Sequence, residues 1–385
     1  MSNSSAARSG ALATGSSGRD PRLDVIRAFA IALVFAAHLP TCPPGESRLL
    51  SAVTIPLVRG GWVGVDLFFA LSGYLIAGLL FREYLRTDSI SLKRFLIRRG
   101  FKIYPALWIV VAVTVLAELA RRQALDWGAI MASLFFYGNY HPALWGHFWS
   151  LAVEEHFYIV FPSILVLTRP RARESASPSA PWPWLPPAIA LLVVTSVAAR
   201  WLVVTANARH DVGMIQYPTH LRSDALAIGV LLAYFETFRP AVIGALGRAE
   251  RRLLLVLGLV MLLPAFAWDV SLTPRFAAIG FSLYPLAGAF MIVGAGTFAV
   301  ERHARLNWIA FLGARSYSLY LWHLPVFAVV FAWTVGLSWF ARVGLATTAA
   351  IIVGVVCAEV IEIPALAIRD RYFPTRTRGA GAAPP

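Results

Sequence analysis

The sequence predicts an all-α, polytopic integral membrane helical bundle of about ten transmembrane helices, with both termini in the cytoplasm. Of its 385 residues, 58% are hydrophobic and only 14% are charged, well below the roughly 25% charged residues of soluble domains. The mean hydropathy is +0.66, and apolar stretches near the roughly 20 residues that cross a bilayer recur along the chain. We therefore expect no soluble domain of useful size.

Ten spans follow one another along the chain. They cover residues 23–40, 62–81, 103–120, 148–168, 184–206, 223–237, 253–268, 276–299, 317–335 and 341–360. The patch at 128–140 is short and polar, so it is predicted to be interfacial or re-entrant. The domain division is a flexible cytoplasmic tail at 1–22, a transmembrane domain at 23–363 and a basic cytoplasmic tail at 364–385. A linker rich in Pro, Ser and Arg at 169–183 separates the first four spans from the last six.

The positive charge of the chain supports this topology and does not require a nucleic-acid partner. The formal net charge is +14, and cytoplasmic connections of polytopic proteins carry an excess of Lys and Arg. The predicted cytoplasmic segments hold 24 of the 34 Lys and Arg residues, and the predicted outer segments hold 7. Counting 128–140 as a span would place the basic 169–183 segment outside, so the ten-span topology is preferred.

The first span, "LDVIRAFAIALVFAAHLP", carries a fixed cation and a titratable imidazole. Arg27 and His38 are eleven residues apart, so in a helix they lie within about 20° of one another and about 16 Å apart along the axis. They share one face at two depths. Arg27 could instead be a snorkelling residue paired with Asp24, and His38 could be an interfacial histidine.

The fourth span adds three consecutive ionisable residues in "HFWSLAVEEHFYIVFP", namely Glu154, Glu155 and His156. Such groups inside a membrane are costly and need partners. The predicted topology puts both glutamates in the same outer half as His38. A carboxylate beside an imidazole holds its tautomer and raises its basicity, as a general base requires. A purely structural Glu–His contact is the alternative, and no metal is expected because no His-Glu-x-x-His pattern or cysteine cluster is present.

Seven short motifs follow in a fixed order along nearly the whole chain. They are Arg-x10-His at 27–38, FFALSGYLI at 68–76, RRGFKIYP at 98–105, WSLAVEEHFY at 149–158, RSDALAIG at 222–229, SYSLYLWHLP at 316–325 and EIP at 362–364. In this order they resemble the membrane-bound acyltransferase 3 family, whose members transfer acetyl or other short acyl groups from acyl-CoA to hydroxyls, mostly on cell-surface carbohydrate. Two positions depart from the family pattern, since Lys102 stands where arginine is usual and His156 where glutamine is usual.

The resemblance implies acyl-CoA, in the simplest case acetyl-CoA, as the donor substrate and a carbohydrate or glycolipid as the acceptor, at a bacterial cytoplasmic (inner) membrane. The residues that it implies for catalysis are His38, Glu154, Glu155 and Arg27. Those that it implies for donor binding are Arg98, Arg99, Lys102, Tyr320 and His323, and those for the acceptor are Trp149, Ser150, Arg222 and Asp224. Arg27 would anchor the anionic donor at the cytoplasmic mouth, and His38 would deprotonate the acceptor hydroxyl or a transient nucleophile.

Several alternatives stay open at this point. The basic segment 82–102 could bind anionic lipid headgroups, Tyr320 and His323 could form an interhelical hydrogen bond, and the small residues of "LSGYLIAG" could serve close helix packing. Lys102 keeps the charge of arginine but lacks its planar fork. The acceptor could also be a small secreted product such as a macrolide. A transporter of lipid-linked sugars would explain polar groups in the membrane but not the motif order.

Overall fold

All regular elements among the described residues are helices. The computed structural model describes residues 20–169, 181–206, 211–270, 272–298, 300 and 304–374. The helices are α1 (Pro21–His38), α2 (Arg48–Gly60), α3 (Val63–Thr87), α4 (Leu92–Ala120), α5 (Trp127–Leu134), α6 (Phe148–Leu167), α7 (Leu185–Ala206), α8 (Gly213–Gln216), α9 (Ser223–Phe238), α10 (Pro240–Gly244), α11 (Arg248–Ala267), α12 (Pro274–Ala295), α13 (Ala304–Ala314), α14 (Ser316–Trp333), α15 (Trp339–Cys357) and α16 (Ile363–Tyr372). A 3-10 turn at Thr219–Leu221 precedes α9, and a π-helical turn at Ala358–Glu362 joins α15 to α16.

Each of the ten predicted spans coincides with a helix, and seven of these helices are long and apolar enough to cross a membrane. The seven are α3, α4, α6, α7, α12, α14 and the continuous segment Trp339–Tyr372. The other three are α1, α9 and α11. Helix α1 carries three charged residues in 18, α9 has only 16 residues, and α11 begins with the charged segment RAERR. The predicted all-helical bundle with several membrane-spanning helices is therefore confirmed. The count of ten spans and the cytoplasmic location of both termini stay predictions.

The patch at 128–140 forms the short helix α5. Its eight residues extend about 12 Å at 1.5 Å per residue, which is too short to cross a bilayer. Helices α2, α8, α10 and α13 lie in segments that the sequence predicted to be connections. Helix α2 is amphipathic and exposes Leu49 and Val53, as expected of a helix that lies in the membrane interface.

The basic segment 82–102 is helical except for a turn at 88–91, so the predicted connection is much shorter than expected. Helix α3 continues to Thr87, and α4 begins at Leu92, eleven residues before the predicted start of the third span. Lys and Arg are good helix formers, so a hydropathy boundary is not a helix boundary here. Only four residues separate the two helices, and the turn passes through Asp88, whose φ is 50°.

Helices α3 and α9 pack closely at the centre of the bundle. Gly73 on α3 faces the carbonyl oxygen of Leu226, and Gly229 on α9 faces the carbonyl oxygen of Ala70. A Cβ atom at either glycine would overlap that oxygen, so only glycine permits this approach. The packing alternative for "LSGYLIAG" is therefore supported at Gly73.

The predicted basic tail at 364–385 is partly a helix that lies along α4. Helix α16 runs to Tyr372 and contacts α4 through Arg98 and Asp370. Residues 375–385, the predicted N-terminal tail up to residue 19, and 170–180 of the predicted linker lie outside the described residues.

Candidate active site

A cluster of three histidines joins α1, α6 and α14. His38 is the last residue of α1, His147 caps the N-terminus of α6, and His323 lies within α14. Nε2 of His323 lies 3.3 Å from Nδ1 of His38, and the ring centroid of His147 lies 4.9 Å from that of His323. The side chain of His38 is exposed, whereas His323 is 0% exposed. The cluster thus offers one accessible imidazole backed by two buried ones.

Backbone and hydroxyl groups fix the other side of this cluster. The Tyr320 hydroxyl lies 2.6 Å from Oγ of Ser150 and donates to the carbonyl oxygen of His147 at 2.8 Å. The ring of Phe35 stacks on His323 at 5.3 Å between centroids, with the planes 18° apart. Predicted residues from the donor set (Tyr320, His323), the acceptor set (Ser150) and the catalytic set (His38) therefore meet in one place.

His147 is a residue that the sequence analysis did not select. It precedes the predicted fourth span by one residue, and a hydropathy boundary excluded it from the intramembrane groups. The available signal was its position three residues before Ser150, which places both on one face of a helix. In the structure it is 3% exposed, and a buried imidazole between two predicted site residues belongs to the candidate site.

The expected pairing of His38 with Glu154 or Glu155 is wrong. Among the described residues, Glu154 accepts a hydrogen bond from the Tyr158 hydroxyl, and Glu155 accepts one from the Tyr104 hydroxyl at 2.5 Å. The ring of His38 instead contacts the carbonyl oxygen of Val34 at 2.8 Å and His323. Depth in the membrane was predicted from the sequence, but the direction of each side chain around the axis of α6 was not.

A second polar centre lies between α4, α6 and α3 around Arg99. Its guanidinium lies 5.5 Å from the ring centroid of Tyr158 and is an electrostatic neighbour of Glu154 and Arg27. The Tyr158 hydroxyl, which donates to Glu154, also lies 3.3 Å from Oγ of Ser72. Arg99 makes no hydrogen bond or ion pair with any residue that the structure describes, so its donors are available to an anion.

The other two basic residues of the predicted donor site are already paired. Lys102 forms an ion pair with Glu362, which is buried. Arg98 pairs with Asp370 at 3.1 Å and donates to the carbonyl oxygen of Phe373. The sequence analysis assigned Arg98, Arg99 and Lys102 the same role, but Arg98 and Lys102 each have an acidic partner, and Arg99 has none among the described residues.

Arg27 adopts the arrangement that the sequence analysis kept as its alternative. It pairs with Asp24 one turn earlier on α1. Its side chain is 22% exposed, so the pair lies at a partly open site, near Arg99. The structure thus permits both the structural pairing and a contact with a donor on the Arg99 side.

The comparisons with known proteins identify the family. Residues 20–359 match the family model of the acyltransferase domain, Acyl_transf_3. The chain belongs to the acyltransferase 3 family. This confirms the predicted family and the predicted enzyme class, an acyltransferase that transfers groups other than aminoacyl groups.

Two curated relatives show what the acyltransferase is similar to. Peptidoglycan O-acetyltransferase OatA of Listeria monocytogenes is 26% identical over 337 residues, which are 80% of this chain and 49% of that protein. O-acetyltransferase OatA of Staphylococcus aureus is 28% identical over 339 residues, 80% of this chain and 51% of that protein. The chain therefore spans about half the length of these relatives. No solved structure gives a significant match.

Two residues of the acyltransferase predicted to bind the acceptor lie in a buried ion-pair network. Arg222 pairs with Asp66, and Asp224 binds Arg200 through contacts of 3.0 and 2.9 Å. Ser282 donates to Asp224 at 2.5 Å. All four charged residues are at most 1% exposed, so this network ties α3, α7, α9 and α12 together.

The remaining predicted acceptor residue, Trp149, is buried between Phe69 and Tyr217, with ring centroids 5.9 and 5.3 Å away. His156, one of the two departures from the family pattern, points away from the histidine cluster, since its Nδ1 lies 2.7 Å from Oγ1 of Thr219. It lines an open groove of about 410 Å³ together with Tyr140, Thr219 and His220. Among the described residues, no group of three or more His, Cys, Asp or Glu is placed to hold a metal ion.

Proposed function

We propose that this acyltransferase is a membrane O-acetyltransferase that moves an acetyl group from cytoplasmic acyl-CoA to a hydroxyl of a cell-surface carbohydrate. The observation that carries the proposal is the exposed imidazole of His38 held against the buried His323 within a bundle of membrane helices. Acetyl transfer to a hydroxyl needs a base at the acceptor oxygen. The names of both relatives support acetyl as the group, and the name of the Listeria monocytogenes relative supports peptidoglycan as the first acceptor to test.

The donor binds on the side of the bundle that carries Arg99. Acyl-CoA is made in the cytosol and carries several phosphates, and charge-assisted hydrogen bonds from arginine to phosphate are strong. Among the basic residues of 98–102, Arg99 has no ion pair with a described residue, while Arg98 and Lys102 do. The orientation follows from the predicted topology, in which this end of α4 faces the cytoplasm of a bacterial cell and the bundle lies in its cytoplasmic membrane.

The acceptor hydroxyl binds at His38. An imidazole has one nitrogen that can take up a proton and one that can donate it, whereas an arginine keeps all its protons. As the acceptor oxygen attacks the acyl carbon, His38 takes the hydroxyl proton. The thioester C–S bond then breaks, the ester C–O bond is formed, and the proton passes to the departing thiolate of CoA. The eleven residues from Arg27 to His38 correspond to about 16 Å of helix, so in this direct transfer the acyl group crosses part of the membrane while it is still bound to the donor.

The experiment compares surface glycans of cells with the wild-type gene, without the gene and with a His38→Gln variant. Mass spectrometry should detect a base-labile acetyl ester on peptidoglycan only in the wild-type cells. The same ester should form in isolated membranes given acetyl-CoA carrying a deuterated acetyl group, and it should then carry the deuterium. Ester levels that are equal in all three strains would contradict the proposed function.

A further inference from the structure

The contact between His38 and His323 joins two helices that are 285 residues apart in the chain. His38 lies at the open end of α1, and His323 lies behind it with 0% exposure. The two rings approach edge to face with centroids 4.9 Å apart. A fully buried ring cannot bind a donor molecule directly, so the predicted role of His323 in donor binding does not fit this position.

Two backbone carbonyl groups determine which nitrogen atoms carry protons. A carbonyl oxygen can only accept a hydrogen bond. Nδ1 of His323 lies 2.6 Å from the carbonyl oxygen of Tyr320, so Nδ1 carries the proton of the neutral ring and Nε2 carries the lone pair. In a neutral imidazole, the hydrogen bond at one nitrogen sets the state of the other.

The same reasoning extends to His38. Its Nδ1 lies 2.8 Å from the carbonyl oxygen of Val34 and 3.3 Å from Nε2 of His323. Both of these partners are acceptors, so both favour a proton on Nδ1 of His38. The lone pair of the neutral ring is then on Nε2, the nitrogen that a base uses.

We infer that His323 is a positioning residue that holds His38 in the tautomer whose Nε2 atom removes the proton from the acceptor hydroxyl. The inference rests on the proposed function. When Nε2 of His38 has taken that proton, the ring is an imidazolium, and its Nδ1–H still donates to Val34 and His323. The two acceptors therefore stabilise the charged ring that the reaction forms.

Aromatic rings hold His323 in the orientation that this role requires. Phe35 stacks on it, and Phe327 meets it edge to face with centroids 5.8 Å apart. His147 contacts it on a further side at 4.9 Å. A ring enclosed in this way cannot turn its Nε2 away from His38 without displacing its neighbours.

The test uses substitutions that differ in where they place an acceptor. The side-chain amide of Gln reaches the position of Nε2, so His323→Gln can still accept from Nδ1 of His38. The amide of Asn reaches only the position of Nδ1, and a Phe ring fills the same space with no acceptor. We expect His323→Asn and His323→Phe to lower kcat by roughly 10- to 100-fold, less than removal of the base itself. We expect His323→Gln to stay within about fivefold of wild type.

The Michaelis constant separates this role from donor binding. With acetyl-CoA varied over membranes that contain equal amounts of folded enzyme, KM should change by less than about twofold in all three variants. His141→Gln is the matched control, because His141 is exposed and its Nδ1 lies 2.9 Å from the carbonyl oxygen of Pro142. This control should keep the wild-type kcat. Thermal unfolding in detergent shows which variants are folded. Only one of His323→Asn and His323→Phe has to be folded, because either one removes the acceptor at the position of Nε2.

The outcomes keep the inference and the proposed function apart. Failure of the wild-type enzyme to acetylate any carbohydrate would contradict the proposed function. With an active wild type and an inactive His38→Gln variant, a wild-type kcat in the folded Asn or Phe variant would overturn the inference. An equal loss in the Gln variant, or a rise in KM without a fall in kcat, would also overturn it.

Discussion

The histidine cluster and the basic face of α4 differ in how their polar groups are satisfied. At the cluster, the backbone carbonyls of Val34 and Tyr320 contact Nδ1 of His38 and of His323, and the side chain of His38 is exposed. On α4, acidic partners neutralise Arg98 and Lys102. Arg99 stands over the ring of Tyr158 without an ion pair to a described residue. A cluster of basic residues in the sequence therefore does not by itself identify a donor site, because each basic residue must also lack an acidic partner in the fold.

The largest effect that would test this comparison is expected at the histidine cluster. His38→Gln keeps hydrogen bonding but removes basicity, so kcat for acetyl transfer should fall by at least two orders of magnitude, within the roughly 10²–10⁴-fold range of general-base catalysis. Binding of acetyl-CoA should be retained, as measured by equilibrium binding to purified enzyme. Activity above about a tenth of wild type in a well-folded variant would show that His38 is not the base.

The positions of the helices could be predicted from the sequence, but the directions of the side chains could not. Hydropathy located all ten predicted spans on helices, since burial in lipid depends on the composition of a segment. It missed the start of α4, because basic residues continue a helix as readily as apolar ones. It also gave no rotation for α6, whose ionisable residues Glu154, Glu155 and His156 are consecutive and therefore point in three different directions around the helix. Those three residues point to Tyr158, Tyr104 and Thr219.

The candidate site was predicted in part for the same reason. His38 and His323 were both selected, but their contact connects α1 with α14 across 285 residues, and a single sequence contains no record of it. Lys102 and Glu362 were both found in motifs, and their ion pair likewise became visible only when the C-terminal segment was placed against α4. Motifs therefore identified residues, and the packing of helices assigned their partners.

The second prediction concerns Arg99. Arg99→Gln should raise KM for acetyl-CoA by roughly 10- to 150-fold, because hydrogen bonds to charged groups contribute about 1.5–3 kcal/mol. The substitution should leave kcat at saturating donor within about threefold of wild type. Initial rates in membrane vesicles over a series of acetyl-CoA concentrations give both constants. An unchanged KM would assign Arg99 to the packing against Tyr158 instead.

A smaller effect is expected for Arg98, the matched control one residue away. Its guanidinium is engaged by Asp370 and by the carbonyl of Phe373, so it has less to offer a phosphate. Arg98→Gln should raise KM for acetyl-CoA by less than about fivefold, the equivalent of the 0–1 kcal/mol typical of exposed ion pairs. An effect equal to that of Arg99→Gln would remove the distinction between paired and unpaired cations on this face.

The smallest effect is expected when Asp370 is changed. This carboxylate is 55% exposed and lies 3.1 Å from Arg98, so it competes with any anion for the same guanidinium. Asp370→Asn should lower KM for acetyl-CoA by up to about threefold at low ionic strength, and added salt should reduce the difference because exposed charges are screened. The double variant Asp370→Asn with Arg98→Gln should then show the KM of Arg98→Gln alone, because the effect of Asp370 acts through Arg98. A KM of the double variant below that of Arg98→Gln alone would mean that Asp370 repels the donor directly. A higher KM in the single variant Asp370→Asn would mean that α16 supports the donor site rather than competing with the donor.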